Sequence, residues 1–461
     1  MRRFKLTAIG AILAVGMALR SSEPLPIALS FQSALAKALS TNERVLAAQS
    51  AVERAGAEAA VARGRRWPDI NLTAKSTRID QPIVIDLDPI RQAMLKLHPG
   101  VPPSAIPPFQ SQVQDDHFNN VTLNATLPLF MGGRIQAGVR AARAGVSSAA
   151  AQRRGLEGEL TTELAQRYFG LRLATENRTT RQGIRDSVRL HAERAASLER
   201  NGQIARAERL RAEVSLAEAA RELAQAVRDE QLARLALSST LAMDEPVFAT
   251  TPLFRVAKLP PIESFSSQGA LANPGLGRLE AERQRAHEGL RAARGELFPS
   301  LGLFAIRELF TRDLTMLQPT WAVGIALNVP IFQGGQRLQR VNAARSQEQQ
   351  LGYLFQRARR DVGLLIEQRY RQVEEAQSQL ASMETTQTLA EESLRAQQLA
   401  FAAGLATSLD VTDAEQALAR VRLGILKAMY DGDVGLAGLL EAAGQSQRLP
   451  EFVTGKSEVG P

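Results

Sequence analysis

Residues 127–135 read LPLFMGGRI and residues 329–337 read VPIFQGGQR. Both follow one frame, Pro, aliphatic, Phe, any residue, Gly-Gly, and the two copies lie 202 residues apart. Each has an alternating apolar run before it and a long Ala- and Arg-rich stretch after it. In the same register Gln166-Arg167-Tyr168 falls on Gln368-Arg369-Tyr370, Gly202 on Gly404, and Ala212-Glu213 on Ala414-Glu415. Upstream, a register of 231 brings Asn42 onto Asn273, Arg63-Gly64 onto Arg294-Gly295, and Pro68 onto Pro299. The registers differ by 29, which marks an insertion in the first copy between Pro68 and Leu127. Self-similarity on this scale reads as one supersecondary unit written twice.

Proline placement says what each unit is made of. None of the 21 prolines falls between Pro128 and Pro246, or between Pro330 and Pro450. Proline in a helix interior costs about 3 kcal/mol, so these two windows are where long helices can live. Their residues are mainly Ala, Leu, Arg, Glu and Gln, all good helix formers. A glycine interrupts each window near its middle, at Gly202 and Gly404, so each is expected to be a helical hairpin with its tip there. Val411, Ala414, Leu418, Val421, Ile425 and Ala428 repeat at coiled-coil spacing, and Leu210, Val214, Ala217, Ala224 and Val227 suggest the matching seam in the first copy. An arm of 60 to 65 residues would be roughly 90 to 100 Å long at 1.5 Å per residue, which suits a rod or tube and not a compact domain.

The runs before the two motifs alternate with period two. Val121, Leu123, Ala125, Leu127 and Leu129 alternate with Thr122, Asn124 and Thr126; Trp321, Val323, Ile325, Leu327 and Val329 alternate with Ala322, Gly324, Ala326 and Asn328. Upstream partners are expected at Ile70, Leu72 and Ala74, and at Leu301 to Phe310. Strands of about 9 to 11 residues with one large apolar face match transmembrane β-strands. A soluble hairpin with one face on a core is the other local reading. The flanking helices, the lack of another visible core and a basic, then apolar N-terminus of the kind that directs export favour the membrane. Four strands cannot close a barrel, and open edges are not tolerated in lipid, so a membrane reading requires oligomerisation.

Pro128 and Pro330 are expected to end the strand ladders by lacking an N–H. Phe130 and Phe332 then stand at the membrane boundary. The pairs Gly132-Gly133 and Gly334-Gly335 would supply a turn that a Cβ resists.

The first residues, MRRFKLTAIGAILAVGMALRSSEP, combine a basic start, a short apolar run and small residues, as a secretory signal peptide does. With no cysteine, thiolate catalysis, thiolate metal sites, disulfides and a lipoprotein anchor have no residue to use. Net charge is +8, but the arginines alternate with acidic residues along helical stretches, which fits solvated helix faces and no nucleic acid. Four histidines, no nucleotide-binding glycine loop and no ligand spacing give no enzyme site, no cofactor and no metal centre to build; His98, His117 and Asp115-Asp116 read as loop residues.

The expected layout is a signal peptide over 1–22 and a first repeat over 23–245, made of helix 28–66, β-hairpin 69–130 with a long extracellular loop 81–118, and helical hairpin 135–243. A linker follows over 246–262. The second repeat over 263–444 holds helix 268–297, β-hairpin 299–332 with a short loop from Thr311 to Pro319, and helical hairpin 336–443. Residues 445–461 are expected to form a flexible C-terminal tail.

Taken together, the duplicated Pro-x-Phe-x-Gly-Gly motifs, Asn42 and Asn273-Pro274 in the opening helices, and FAAGLATSLDVTDAEQAL from Phe401 resemble the TolC family of outer-membrane efflux proteins. The resemblance runs from about Ala28 to Gly444, and departs from the family in having Asn42-Glu43 where Asn-Pro is common. It implies an α+β membrane protein: a homotrimer whose twelve strands, four per chain, close one outer-membrane β-barrel in lipid. The barrel continues into a periplasmic α-helical coiled-coil barrel. It also implies a periplasmic adaptor (membrane fusion protein) and an inner-membrane transporter of resistance-nodulation, ABC or major-facilitator type as partners. The chain would then be the exit duct of a tripartite efflux or type I secretion system.

The same resemblance places a periplasmic gate at the second tip. Asp410 and Asp413 match gate positions, with Phe401 and Ala406 where relatives carry tyrosine and arginine. A latch from Arg209 or Arg211 to these aspartates is expected. A different class of reading, a periplasmic coiled-coil scaffold or adaptor without a pore, explains the heptads but neither the strands nor the junction motifs.

Overall fold

The computed structural model describes residues 27–256, 259–310 and 319–455. The expected signal peptide and most of the short loop from Thr311 lie outside them. The chain opens with strand β1 (Ile27–Leu29), helix α1 (Phe31–Thr41) and helix α2 (Glu43–Gly64). The single helix expected over 28–66 is therefore broken. Asn42 is extended, caps α2 by accepting a hydrogen bond from the Arg44 N–H, and lets the chain change direction. Asn273 does the same between α6 (Glu263–Ala272) and α7 (Pro274–Gly295), where one helix over 268–297 was expected.

The two helical hairpins are unequal in their arms. Helix α4 (Arg134–Arg200) and helix α8 (Gln336–Ala402) have 67 residues each, roughly 100 Å at 1.5 Å per residue. The returning helices, α5 (Arg206–Thr240) and α9 (Ser408–Ala442), have only 35. The upper part of α4 is braced instead by α2 and α7, its lower part by α5 and α9. Starts of α4 and α8, and of α5 and α9, stand 202 residues apart; those of α2 and α7 stand 231 apart.

A core fills the level where the short helices meet end to end, which the sequence reading did not anticipate. Phe31 stacks on Phe169, and Tyr168, midway along α4, packs edge-on against both, with ring centroids 5.2 to 5.5 Å apart. Tyr168 Oη donates to the Leu29 carbonyl at 2.7 Å and accepts from the Thr251 N–H at 2.8 Å, so the buried ring keeps its polar tip satisfied. The expected linker 246–262 is part of this core: strand β6 (Val247–Ala249) pairs in parallel with β1, and Leu253 and Val256 are buried. So is the start of the expected flexible tail, where helix α10 (Leu449–Val453) buries Leu449 and Phe452 against α9. Apolar side chains there gain more from burial than the tail loses in freedom.

The heptad seam of α9 lies where the sequence places it, with Val411, Leu418 and Ala428 buried. In α5 the seam is two residues out of phase with the expected one. Ala212, Ala219, Ala226 and Leu237 are buried, whereas Leu210 and Val214 are 43% and 59% exposed. Alanine fills this seam because it lets helices approach closely, and the larger aliphatics face outward.

Four strands form one antiparallel sheet in the order β2-β5-β7-β8: β2 (Asp69–Arg78), β5 (His117–Phe130), β7 (Ser300–Phe310) and β8 (Trp321–Asn328). Registers place Leu72 opposite Leu123, Leu127 opposite Leu303, and Leu303 opposite Ile325. Since side chains alternate, Ile70, Leu72, Leu123, Leu127, Leu301, Leu303, Ile325 and Trp321 share one face of the sheet. Strands β2 and β8 are its edges. The long loop between β2 and β5 is itself structured, with a small hairpin of β3 (Ile83–Asp86) and β4 (Gln110–Gln114) and helix α3 (Asp88–Leu97).

Candidate functional site

The residues singled out in the sequence lie at two places: the junctions where strands turn into long helices, and the hairpin tips. At the first junction β5 runs through Pro128 rather than ending there. A register irregularity between Pro128 and Phe130 absorbs the missing N–H, so the ladder continues to Phe130 opposite Leu301. At the second, β8 stops at Asn328, before Pro330 is reached. Prolines at these positions thus border the ladders without both ending them.

Both glycine pairs are left-handed at each residue. Gly132 and Gly133 have φ of 60° and 79°, Gly334 and Gly335 of 57° and 74°, and the second of each pair caps the long helix. Their surroundings differ. A Cβ on Gly132 would lie 2.2 Å from the Gly295 carbonyl oxygen, and one on Gly295 would lie 2.5 Å from the Gly132 oxygen, so two backbones cross where side chains have no room. Gly133, Gly334 and Gly335 have open space around them. Phe130 and Phe332 are exposed beside the apolar face, Phe332 at 84% and its neighbour Ile331 at 94%.

At the tips, Gly202 and Gly404 take φ of 71° and 73° and end α4 and α8 in the same way. Gln203 N–H reaches the Leu198 carbonyl at 2.9 Å and Leu405 N–H the Ala400 carbonyl at 2.8 Å, closing a Schellman turn in each. Asp410 belongs to the next helix start. Its Oδ2 accepts from the Thr407 hydroxyl at 2.6 Å and the Thr407 N–H at 2.7 Å, while Thr407 Oγ1 accepts from the Asp410 N–H, a complete capping box. Those hydrogen bonds, the hydroxyl's first, hold its carboxyl below the ordinary carboxylate range. Asp413, one turn on, is exposed.

The arginines expected to latch these aspartates pair elsewhere within the chain. Arg209 Nε meets Glu199 at 2.7 Å and its other arm meets Glu213; Arg211 meets Glu208 at 2.7 Å. Glu208 and Glu213 at helical spacing and Glu199 across the turn engage both arginines, which therefore stiffen their own tip. Phe401 is buried, in a small cluster with Ala192, Ala195, Ala212 and Val411.

The structure also reveals polar groups that nothing in the sequence marked. His191 Nε2 lies 2.7 Å from Ser408 Oγ, and the His191 ring packs on Phe401 with centroids 4.7 Å apart. The Ser408 N–H donates to Glu208 at 3.0 Å. One turn higher on α4, the Ser187 hydroxyl donates to buried Glu415 at 2.7 Å. Burial, then the charge of Arg194, pushes the His191 pKa down; burial pushes that of Glu415 up. In the core, fully buried Asp433 accepts from the Phe254 N–H at 3.2 Å while its other oxygen has no partner, and burial raises its pKa to about 8.

Among the described residues no group of three or more His, Cys, Asp or Glu side chains is placed to hold a metal, and no helix is long and apolar enough to cross a membrane.

The model of the outer membrane efflux protein family matches residues 34–242 and 266–445, well over half of the chain. CzcC of Cupriavidus metallidurans, a cobalt-zinc-cadmium resistance protein, is 28% identical over 336 residues, 70% of this chain and 78% of that protein. AprF of Pseudomonas aeruginosa, an alkaline protease secretion protein, is 27% identical over 44% of this chain and 45% of its own length. Among solved structures, CusC superposes with a TM-score of 0.75 at 17% identity, over 90% of this chain and 92% of the other. The open-state outer membrane channel MtrE of Neisseria gonorrhoeae gives 0.73 at 22% identity, over 90% and 89%.

Proposed function

The chain belongs to the outer membrane efflux protein family, and we propose that it is the outer-membrane exit duct of a tripartite efflux or type I secretion system. Its place is the outer membrane, with a large periplasmic part. The observation that carries this reading is the sheet with one broad apolar face and two unpaired edges, joined through glycine turns to helices about 100 Å long. A periplasmic scaffold has no use for that face.

Closure follows from the open edges. A strand edge in lipid leaves its N–H and C=O groups without partners, so copies must join edge to edge until the ring closes. Three copies give twelve strands, the number the family resemblance implies. The long helices below would line one continuous tube, and Phe130 and Phe332 would sit at the level where lipid gives way to periplasm. In the tube the tips come together. Asp410, its carboxylate form favoured by its cap, and exposed Asp413 would form carboxylate rings that favour cations and bind basic partner groups. Arg209 and Arg211 keep each tip rigid, and Phe401 packs it from inside. An adaptor docks on the tips, and an inner-membrane transporter of resistance-nodulation, ABC or major-facilitator type selects the cargo.

The test is to express the chain with its own export signal, fractionate membranes and record in planar bilayers. A heat-modifiable oligomer in the outer-membrane fraction that conducts ions is expected. A soluble, non-conducting periplasmic protein would overturn the reading.

A further inference from the structure

The contact between the two halves of the chain can be carried over, residue by residue, to the contact between copies. Two internal registers relate the halves: 231 for α2 and β2 onto α7 and β7, and 202 for β5 and α4 onto β8 and α8. Strand pairing obeys both. Asp69 opposite Thr126 becomes Ser300 opposite Asn328, and Ile70 opposite Ala125 becomes Leu301 opposite Leu327, and both pairs are observed. The pairing of β5 with β7 has no such counterpart inside the chain, because its equivalents, β8 and β2, are the two edges of the sheet.

The same asymmetry appears in the glycines. Gly132 and Gly295 cross backbones so closely that neither could carry a Cβ. Their equivalents are Gly334 and Gly64, and each of these has nothing within 4 Å of the position a Cβ would take. Gly334 keeps a left-handed φ of 57° like Gly132 at 60°, so one half of the crossing is preformed and vacant. Lower on the helices, Tyr353 and Leu46 occupy the positions of Ala151 and Gly277, which face each other across α4 and α7 so that a Cβ on Gly277 would lie 3.7 Å from that of Ala151. Both are exposed, at 76% and 50%, and as a bulkier apolar pair they would meet across the wider gap between α8 and α2.

We infer that a second copy of this chain completes both features: β8 of one copy pairs with β2 of the next in the transposed register, and Gly334 crosses Gly64. In that register Asn328 stands opposite Thr73, Leu327 opposite Ala74, Val329 opposite Leu72, and Pro330 opposite Asn71 of the next copy. The large residues of β8 then meet Leu72 and Ala74 on one face, continuing the apolar face unbroken across the seam. A shift of one residue would turn every side chain of the joining strand to the wrong side. This inference rests on the ring closure proposed above, and adds its register and its lock.

The chain contains no cysteine, so engineered pairs report cleanly. Two adjacent in-register pairs, Asn328→Cys with Thr73→Cys and Leu327→Cys with Ala74→Cys, cover both kinds of antiparallel position. The same-face control shifted by two is Asn328→Cys with Lys75→Cys. Oxidation of the membrane-embedded protein is expected to give covalent oligomers on denaturing gels from at least one in-register pair and none from the control. Covalent oligomers from the control alone, or none from any pair while the heat-modifiable oligomer persists, would overturn the register and leave ring closure standing. Absence of any oligomer would overturn ring closure itself.

The lock has its own variant. Gly64→Ala places a methyl in open space within one chain but against the Gly334 carbonyl of the next copy. It is expected to abolish the oligomer while the monomer folds with unchanged helical circular dichroism. Gly56→Ala, elsewhere on α2 and also in open space, is expected to assemble normally. Normal assembly of Gly64→Ala would remove the lock.

Discussion

His191 on α4 and Ser408 at the start of α9, 217 residues apart in sequence, are joined side chain to side chain at 2.7 Å inside the tip region. Nine residues separate His191 from the end of α4, so the bond ties the descending arm of the first hairpin to the returning arm of the second just above both turns. Ser187 and Glu415 make a second tie above it at 2.7 Å.

These two ties should titrate in opposite directions. The folded pKa of His191 is depressed by burial and by Arg194, so its contribution is present above the unfolded value and lost as pH falls. The folded pKa of Glu415 is raised by burial, so its contribution is present at low pH and lost as pH rises. Each tie should leave its own pH dependence on tip opening, followed by hydrogen exchange around Gly202 and Gly404: the His191 tie weakens as pH falls below 6.5, and the Glu415 tie weakens as pH rises above 4.5. His191→Gln should remove the first dependence and Glu415→Gln the second. If both variants keep the wild-type profile, the ties do not control the tip.

Asp433 makes a different demand on the core. Its carboxyl titrates at about 8 because burial opposes ionisation and a single Phe254 N–H does not compensate. The unfolded chain ionises near 3.8, so between these values the native state holds a proton that the unfolded state has released. Stability therefore falls as pH rises through this window, by at most about 1.4 kcal/mol per pH unit. Asp433→Asn keeps an acceptor for Phe254 and removes the titration. Its thermal midpoint should match wild type near pH 4 and exceed it at pH 9. Parallel midpoints across that range would show that Asp433 ionises without cost.

How much of this was legible in the sequence depended on whether a residue's neighbours were close along the chain. The glycine turns, the alternating strands and the seam of α9 are local patterns, and each stands where its spacing puts it. The seam of α5 departs from its expected place because Ala212, Ala219 and Ala226, which fill most of it, carry little hydrophobic signal. Leu210 and Val214 carry that signal and face outward. The core around Tyr168 gathers Phe31, Phe254, Leu436 and Phe452 from segments hundreds of residues apart, so no window could show it. Asp433 and Glu415 look like any acidic residue on an amphipathic helix. Burial makes them titrate unusually, beside Ser187 of α4 for Glu415 and beside the segment around Phe254 for Asp433.

The junction glycines separate two costs. Gly133→Ala meets only the left-handed backbone, since the space beside it is open, and should cost about 1–2 kcal/mol. Gly132→Ala meets the same backbone penalty and also drives a methyl into the Gly295 carbonyl. It should lower the yield of folded protein in the membrane far more than Gly133→Ala does. Equal yields would mean that the crossing of β5–α4 with the end of α7 opens freely.

The proposed gate needs a variant that separates charge from capping. Asp410 accepts two hydrogen bonds from Thr407, so Asp410→Ala removes both the charge and half of the capping box. Any change in conductance from that variant could come from a frayed helix start. Asp410→Asn leaves an acceptor oxygen for Thr407 and deletes only the charge. Combined with Asp413→Asn, it removes both carboxylates from the tip while the helix start is preserved. Single-channel conductance in planar bilayers should rise, and block by divalent cations or polyamines from the periplasmic side should weaken. Asp410→Ala with Asp413→Ala should do the same, with faster exchange at the start of α9 in addition. If the alanine pair alters conductance and the asparagine pair does not, Asp410 serves the tip as a cap and the carboxylate gate is ruled out.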